Sequence, residues 1–198
     1  SGKANWKKIL KQVLPYVDIF LPSVEEIAYM LDRNLFEKRR NQANGQDPVV
    51  VYTGADFSML SKMLLDLGVK VVAIKAGIKG YYLRTADSDA LGDLLSSNRL
   101  NDWSKREIWT SSYKAEKFGS ATGAGDATIA GFLTAFLRGL GPVKCVKIAN
   151  LLGWQNVREV DAFSGIQDWS VTMDMVADEN KQLNPLTIED DGWYFCEK

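Results

Sequence analysis

Short apolar, β-branched runs alternate along this chain with stretches whose apolar residues recur at helical spacing. That alternation restricts the fold more than any other feature. Trp6, Ile9, Leu10, Val13 and Leu14 predict a first helix, and "YVDIFLP" (16–22) a short buried strand ended by Pro22. Ser23 opens a second helix through Met30 and Leu31, and 32–48 reads as a helix end plus a loop with Asn-Gly and Asp-Pro turn signals. "VVVYT" (49–53) fits a strand or an irregular apolar segment. Phe57, Leu60, Leu64 and Leu67 mark a helix closed by Gly68. "VKVVAIKAG" (69–77) predicts a strand and "GYYLRT" (80–85) its hairpin partner, whereas 86–117 is polar, mixed and unassigned. Helices are expected over 124–138 and 142–157, then a loop (161–169), a last helix and a tail with "WYF" (193–195). Such an order implies an α/β sheet with helices on its faces. No repeat, low-complexity tract or linker divides the 198 residues, which suit one sizeable core.

For chemistry the decisive count is zero: the chain has no histidine. That excludes Ser-His-Asp and Cys-His nucleophile systems, the usual zinc sites and any histidine general base. Carboxylates, lysines, hydroxyls and backbone amides must carry whatever reaction occurs. The 24 basic and 25 acidic residues nearly cancel, giving no electrostatic reason to expect nucleic acid or an anionic membrane as partner. No apolar run approaches a membrane span, and "SGKANWKKIL" lacks the apolar core of a signal peptide. Cys145 and Cys196 lie far apart without metal-ligand spacing, so reduced thiols and a cytoplasmic setting are expected, with Cys145 inert packing on an apolar helix. "EKRR" (37–40) reads as a solvated face, and Trp154, Trp169, Trp193, Tyr194 and Phe195 as core or tail packing.

The segment "GSATGAGDATIAGF" (119–132) spends more glycine than a turn requires and then enters an apolar helix. A glycine-rich loop at a helix start gathers unpaired N–H groups at the positive end of the dipole, which suits phosphate or a developing anion. The order fails the dinucleotide pattern, because Thr128 stands where the last glycine belongs, and it lacks the Gly-Lys-Ser/Thr ending of a P-loop. Two readings fit the pattern alone. Either this is an anion cradle with its own acid, or Thr122 is a plain N-cap, Asp126 a first-turn acid and Gly131 a packing glycine.

"ATGAGDATIAGF" resembles the C-terminal signature of the ribokinase-like (PfkB) carbohydrate kinases. The resemblance implies Asp126 as the catalytic base, with the amides of Gly123, Ala124 and Gly125 as the hole for the transferring phosphoryl group. Loose phosphoryl transfer spreads charge over oxygens that fixed amides can stabilise, and a late proton loss suits a carboxylate base. "DIFLPSVEEI" (18–27) is similar to the family's Asn-x-x-Glu element, which implies Glu26 as the magnesium residue, with Ser23 in place of asparagine. Read by itself, Ser23-Val24-Glu25-Glu26 is a capping box, a role compatible with the first. "VVAIKAGIKGYYLRT" (71–85) resembles the strand–Gly-x-x-Gly–hairpin bordering the nucleotide phosphates, which implies nucleotide contacts from Lys75, Gly77 and Gly80. The alternatives are a solvated strand-end lysine and a tight hairpin. "ANLLGW" (149–154) and "VDAFSGI" (160–166) match the closing helix and loop, implying Asn150 near the adenine and a monovalent-cation site for an ion such as K+. Asn150 equally fits a polar position on an apolar helix. Ser120 stands where that site often has an aspartate, and a hydroxyl is the poorer ligand.

The resemblance covers nearly all of residues 5–170 and implies ATP and Mg2+ as cofactors and a small-molecule sugar as substrate. It implies a three-layer ribokinase-like α/β sheet with helices on both faces, the N-terminal strands and lid missing from this chain. Residues 1–198 are then expected to form one α/β domain, the C-terminal ATP-binding portion of a sugar kinase. A sheet cut along a parallel strand leaves an open edge, so either self-association, as in a homodimer, or marginal stability is expected unless the chain begins at a true boundary. A catalytically incomplete nucleotide-binding regulator or scaffold derived from such a kinase, and a pure interaction domain, are the alternatives.

Overall fold

In a computed structural model the described residues are 4–177 and 190. Helix α1 (Trp6–Val13) leads through a 3₁₀ turn to the short strand β1 (Ile19–Phe20). Helices α2 (Val24–Leu31), α3 (Arg33–Ala43) and α4 (Gly54–Asp66) follow. Strands β2 (Val71–Lys75) and β3 (Tyr81–Thr85) come next, then the short helices α5 (Ser88–Leu91) and α6 (Ser97–Trp103) and strand β4 (Glu107–Thr110). The chain continues through α7 (Ala124–Leu137), α8 (Pro142–Val157) and α9 (Trp169–Ala177). The sheet runs β1-β2-β3-β4, with β1 parallel to β2 and the other two pairs antiparallel.

Alternation along the strands sends side chains to two cores. Val72, Ile74 and Tyr82 join Leu10, Leu14, Ile27, Phe57, Leu60 and Leu64 on one face of the sheet. Val71, Ala73, Tyr81 and Leu83 join Trp103, Phe132, Ile148 and Ala149 on the other. Helices therefore cover both faces of a mixed sheet, and β2, buried on both, reads as an unbroken apolar run. Because β1 and β2 are parallel, their C-terminal ends open at the same edge, a usual place for a ligand in an open α/β sheet.

Several expectations need correction. Segment 32–48 holds a full helix, α3, capped by Asp32, whose Oδ1 accepts from the Leu35 amide at 3.0 Å, and closed by Asn44 at φ 47°. Its apolar face was too thin to see: only Leu35 and Ala43 are buried. Within "EKRR", Arg39 is not solvated, because its guanidinium pairs with Asp56 at 2.7 Å. Of the two alternatives left open for 49–53 the irregular one holds: the run begins as a 3₁₀ turn, Pro48–Val51, since Pro48 and the bond from the Val49 amide to Asp47 Oδ1 (3.0 Å) outweigh β propensity. Helix α4 begins at Gly54, ahead of its first large apolar residue, on a Thr53–Asp56 capping box. Residues 86–117 supply α5, α6 and β4. The "WYF" tail and Cys196 lie outside the described residues. Cys145 is buried as expected, and burial pushes its thiol up to about 12. No helix among the described residues is long and apolar enough to cross a membrane.

Candidate functional site

Three elements meet at the sheet edge where β1 and β2 end. The backbone links two of them, because the Lys75 amide donates to Pro22 O at 2.9 Å and Ser23 bridges Lys75 in parallel fashion. Glu26, at the start of α2, is thereby set near the end of β2. The third element is the first turn of α7: a Cβ built on Gly125 would lie 3.6 Å from Lys75 Nζ. Glu26, Lys75 and the Gly123–Asp126 turn, far apart in sequence, thus share one place.

Gly123 is the N-cap of α7 at φ 80°, a conformation side chains with a Cβ avoid, so Thr122 is not the cap. The Thr122 amide instead donates to Ser120 Oγ at 3.0 Å. The Ala124 amide bonds Ala121 O at 3.1 Å, while the amides of Gly123, Gly125 and Asp126 have no acceptor among the described residues. Those three lie unpaired at the positive end of a 14-residue helix, a place that suits an anion. Asp126 is exposed in the same turn. Two glycines bring the site's helices together: a Cβ on Gly131 would meet Leu152 Cδ2 at 3.0 Å, and one on Gly153 would meet Thr128 Cγ2 at 2.8 Å. Close packing at Gly131 therefore coexists with the unpaired amides.

Glu26 closes the capping box: its Oε2 accepts from the Ser23 amide at 2.8 Å, and its own amide donates to Ser23 Oγ at 3.3 Å. Burial pushes this carboxyl up, yet the bonds from Ser23 and the charge of Lys75 together hold it below the ordinary glutamate value. It is therefore an ionised carboxylate at neutral pH. Among the described residues no group of three or more acidic or thiol side chains could cage a metal. One carboxylate near unpaired helix-start amides is nevertheless compatible with Mg2+, which is commonly held by one or two carboxylates plus substrate phosphates.

The remaining candidates are arranged differently. Gly77 begins a 3₁₀ turn (Gly77–Lys79) directly after β2, at φ 52° and exposed. Gly80, φ 92°, is buried against β4, where a Cβ would lie 2.0 Å from Thr110 O. Asn150 is 4% exposed, and its Nδ2 donates to Thr110 O at 3.0 Å, Thr110 Oγ1 at 2.7 Å and Ser111 O at 3.0 Å. Gly80 and Asn150 thus converge on the end of β4 and fix where the following loop departs. Of the nucleotide candidates, only Lys75 is brought against the glycine turn.

The loop after α8 covers the glycine turn, a role no local pattern signalled. A Cβ on Gly123 would lie 2.5 Å from Ala162 Cβ, and one on Gly119 2.4 Å from Glu159 O. Asn156, fully buried, holds Ala162 O through Nδ2 at 2.5 Å, and Asp161 Oδ1 accepts from the amides of Phe163 and Ser164 at 2.9 and 2.7 Å. The Ser120 hydroxyl is engaged with Thr122 Oγ1 at 3.0 Å. Protein donors therefore brace this loop and engage the Ser120 hydroxyl.

The pattern of the pfkB family of carbohydrate kinases matches residues 3–169. An uncharacterized sugar kinase of Archaeoglobus fulgidus is 24% identical over 165 residues, 83% of this chain and 48% of that protein. Arabidopsis thaliana ribokinase, solved with ribose and ATP, is similar in fold with a TM-score of 0.59 at 20% identity, over 84% of this chain and 43% of that one. Thermotoga maritima ribokinase gives 0.57 at 20% identity, over 85% and 45%. The chain thus spans less than half the length of each of these relatives.

Proposed function

The chain belongs to the pfkB family of carbohydrate kinases, and we propose on that premise that it carries the site for ATP-dependent phosphoryl transfer to a hydroxyl of a sugar or related small molecule. The observation behind this reading is the approach of Lys75 to Gly125, which joins a strand-end cation to the glycine turn at α7. In this reading the amides of Gly123, Gly125 and Asp126 receive phosphoryl oxygens, with Ala124 setting the helix start. Such fixed donors stabilise developing charge without reorganising. Asp126 accepts the acceptor hydroxyl's proton as the new oxygen–phosphorus bond forms, the bond to the bridging oxygen breaks and the diphosphate leaves. Glu26 would hold Mg2+, which neutralises phosphate charge when bound. Gly77 borders the nucleotide phosphates, and Gly80 and Asn150 shape the base side by holding the end of β4.

Calorimetric titration of this chain with magnesium-ATP tests the cradle, and sugar-dependent ADP formation by the full-length protein tests the base. Asp126→Asn keeps the shape of the turn, so nucleotide binding should persist while turnover falls by about 10²–10⁴-fold, the usual worth of a positioned general base. Absence of saturable ATP binding in both the chain and the full-length protein would sink the reading. Binding without turnover in the full-length wild type would favour a regulatory nucleotide-binding protein instead.

A further inference from the structure

Thr128 sits where the first turn of α7, helix α8 and strand β3 meet. Its hydroxyl donates to Gly125 O at 2.7 Å. Its methyl occupies the notch left by Gly153 on α8, where a Cβ would lie 2.8 Å from Thr128 Cγ2. On the β3 side stands Tyr81, 1% exposed, whose ring stacks at 6.1 Å on Phe132, one turn further along α7. The Tyr81 hydroxyl is buried without a hydrogen bond among the described residues. Burial pushes its pKa up, and the Thr128 side chain beside it pulls it partly back. A buried phenol of this kind is best served by an oxygen with free lone pairs, which Thr128 offers when its own proton is committed to Gly125 O. Tyr81 thus favours the orientation in which Thr128 donates to the glycine turn.

The Gly125 carbonyl and the Asp126 N–H belong to one planar peptide unit. Fixing the oxygen fixes the direction of that amide, which is one of the three left unpaired at the start of α7. A bond accepted at the carbonyl also polarises the unit and strengthens its N–H as a donor. We infer that Thr128 is a positioning residue for phosphoryl binding: its hydroxyl aims the Asp126 amide at a phosphoryl oxygen, while its methyl serves only to join α7 to α8. This assignment rests on the phosphotransferase reading above. Thr128 acts through the Gly125–Asp126 peptide, and the Asp126 carboxylate branches from the carbon next to that amide, so donor and base are set together.

The two halves of the side chain can be removed separately. Thr128→Val keeps the methyl and loses the hydroxyl, whereas Thr128→Ser keeps the hydroxyl and loses the methyl. The test is calorimetry with magnesium-ATP, on this chain and on the full-length protein, beside urea unfolding of each variant. A hydrogen bond of this kind is worth about three- to tenfold in an equilibrium constant. Thr128→Val should therefore weaken magnesium-ATP by about three- to tenfold with a urea midpoint near that of wild type, since such bonds back along a helix add little to its stability. Thr128→Ser should restore ATP affinity to within about twofold of wild type and yet lower the urea midpoint, because the Gly153 notch is left empty. Equal loss of ATP affinity in both variants, or a loss that follows the urea midpoint, would overturn the assignment in favour of a merely structural threonine. Unchanged affinity in Thr128→Val would overturn it too and leave the nucleotide site standing. Failure of both wild-type proteins to bind magnesium-ATP would remove the site and the assignment together.

Discussion

Replacing Gly123 by alanine separates two demands that the turn makes on this residue. At φ 80° an alanine pays the left-handed penalty, about 1–2 kcal/mol. Its Cβ would also sit 2.5 Å from Ala162 Cβ and 3.0 Å from Ala162 Cα, roughly 1 Å inside ordinary carbon contact at about 3.5–4.0 Å. Overpacking of that kind costs about 1–3 kcal/mol. The expected destabilisation is therefore about 2–5 kcal/mol, read as a lowered urea midpoint by tryptophan fluorescence, together with weaker ATP binding as the cradle distorts. The double variant Gly123→Ala/Ala162→Gly removes the methyl collision but not the dihedral strain, so it should recover only part of the loss. A single variant within about 0.5 kcal/mol of wild type would refute both arguments. Full recovery in the double variant would refute the dihedral argument alone.

Other outcomes follow from the same contacts. Asp56→Ala strips the counter-ion from Arg39, whose side chain is 11% exposed, and should cost about 3–5 kcal/mol in denaturant unfolding, whereas Lys62→Ala, breaking the exposed pair with Asp66, should cost under about 0.5 kcal/mol. Ser23→Ala removes one half of the α2 capping box and should lower stability by about 1 kcal/mol at neutral pH. Because the folded Glu26 carboxyl titrates below its ordinary value, its contribution is fully present above about pH 4.3 and is lost as pH falls through the folded value. The cost of Ser23→Ala should accordingly shrink in melts run through that acid window, and a cost that grew on acidification would contradict the sign.

Much of the fold was legible in residue order. The helices α2, α7 and α8 and the β2–β3 hairpin announced themselves through periodicity and turn chemistry, because each buries a broad apolar face or a continuous apolar run, and α1 was readable from its apolar spacing although within it only Leu10 is buried. The capping box at Ser23–Glu26 was equally readable, since a cap is a contact across three residues. Segment 32–48 and residues 86–117 were not, because α3 buries little and α5, α6 and β4 are short pieces stabilised mainly by packing on the sheet.

By itself, then, the sequence determined the local devices: a histidine-free chemistry, a glycine turn opening a helix, a carboxylate in a capped first turn and a lysine ending a strand. These depend on neighbours a few residues apart and on backbone preferences that no tertiary partner needs to supply. Only the tertiary structure decided which devices meet. The parallel pairing of β1 with β2 carries Glu26 toward Lys75, and the packing of α7 and α8 on the opposite face of the sheet brings Gly125 to the same lysine. It also sent Asn150 and Gly80 to the end of β4 and laid Ala162 over Gly123, contacts that join residues tens of positions apart. Such meetings are set by shape and burial summed over both cores, and no short stretch of residues encodes that sum.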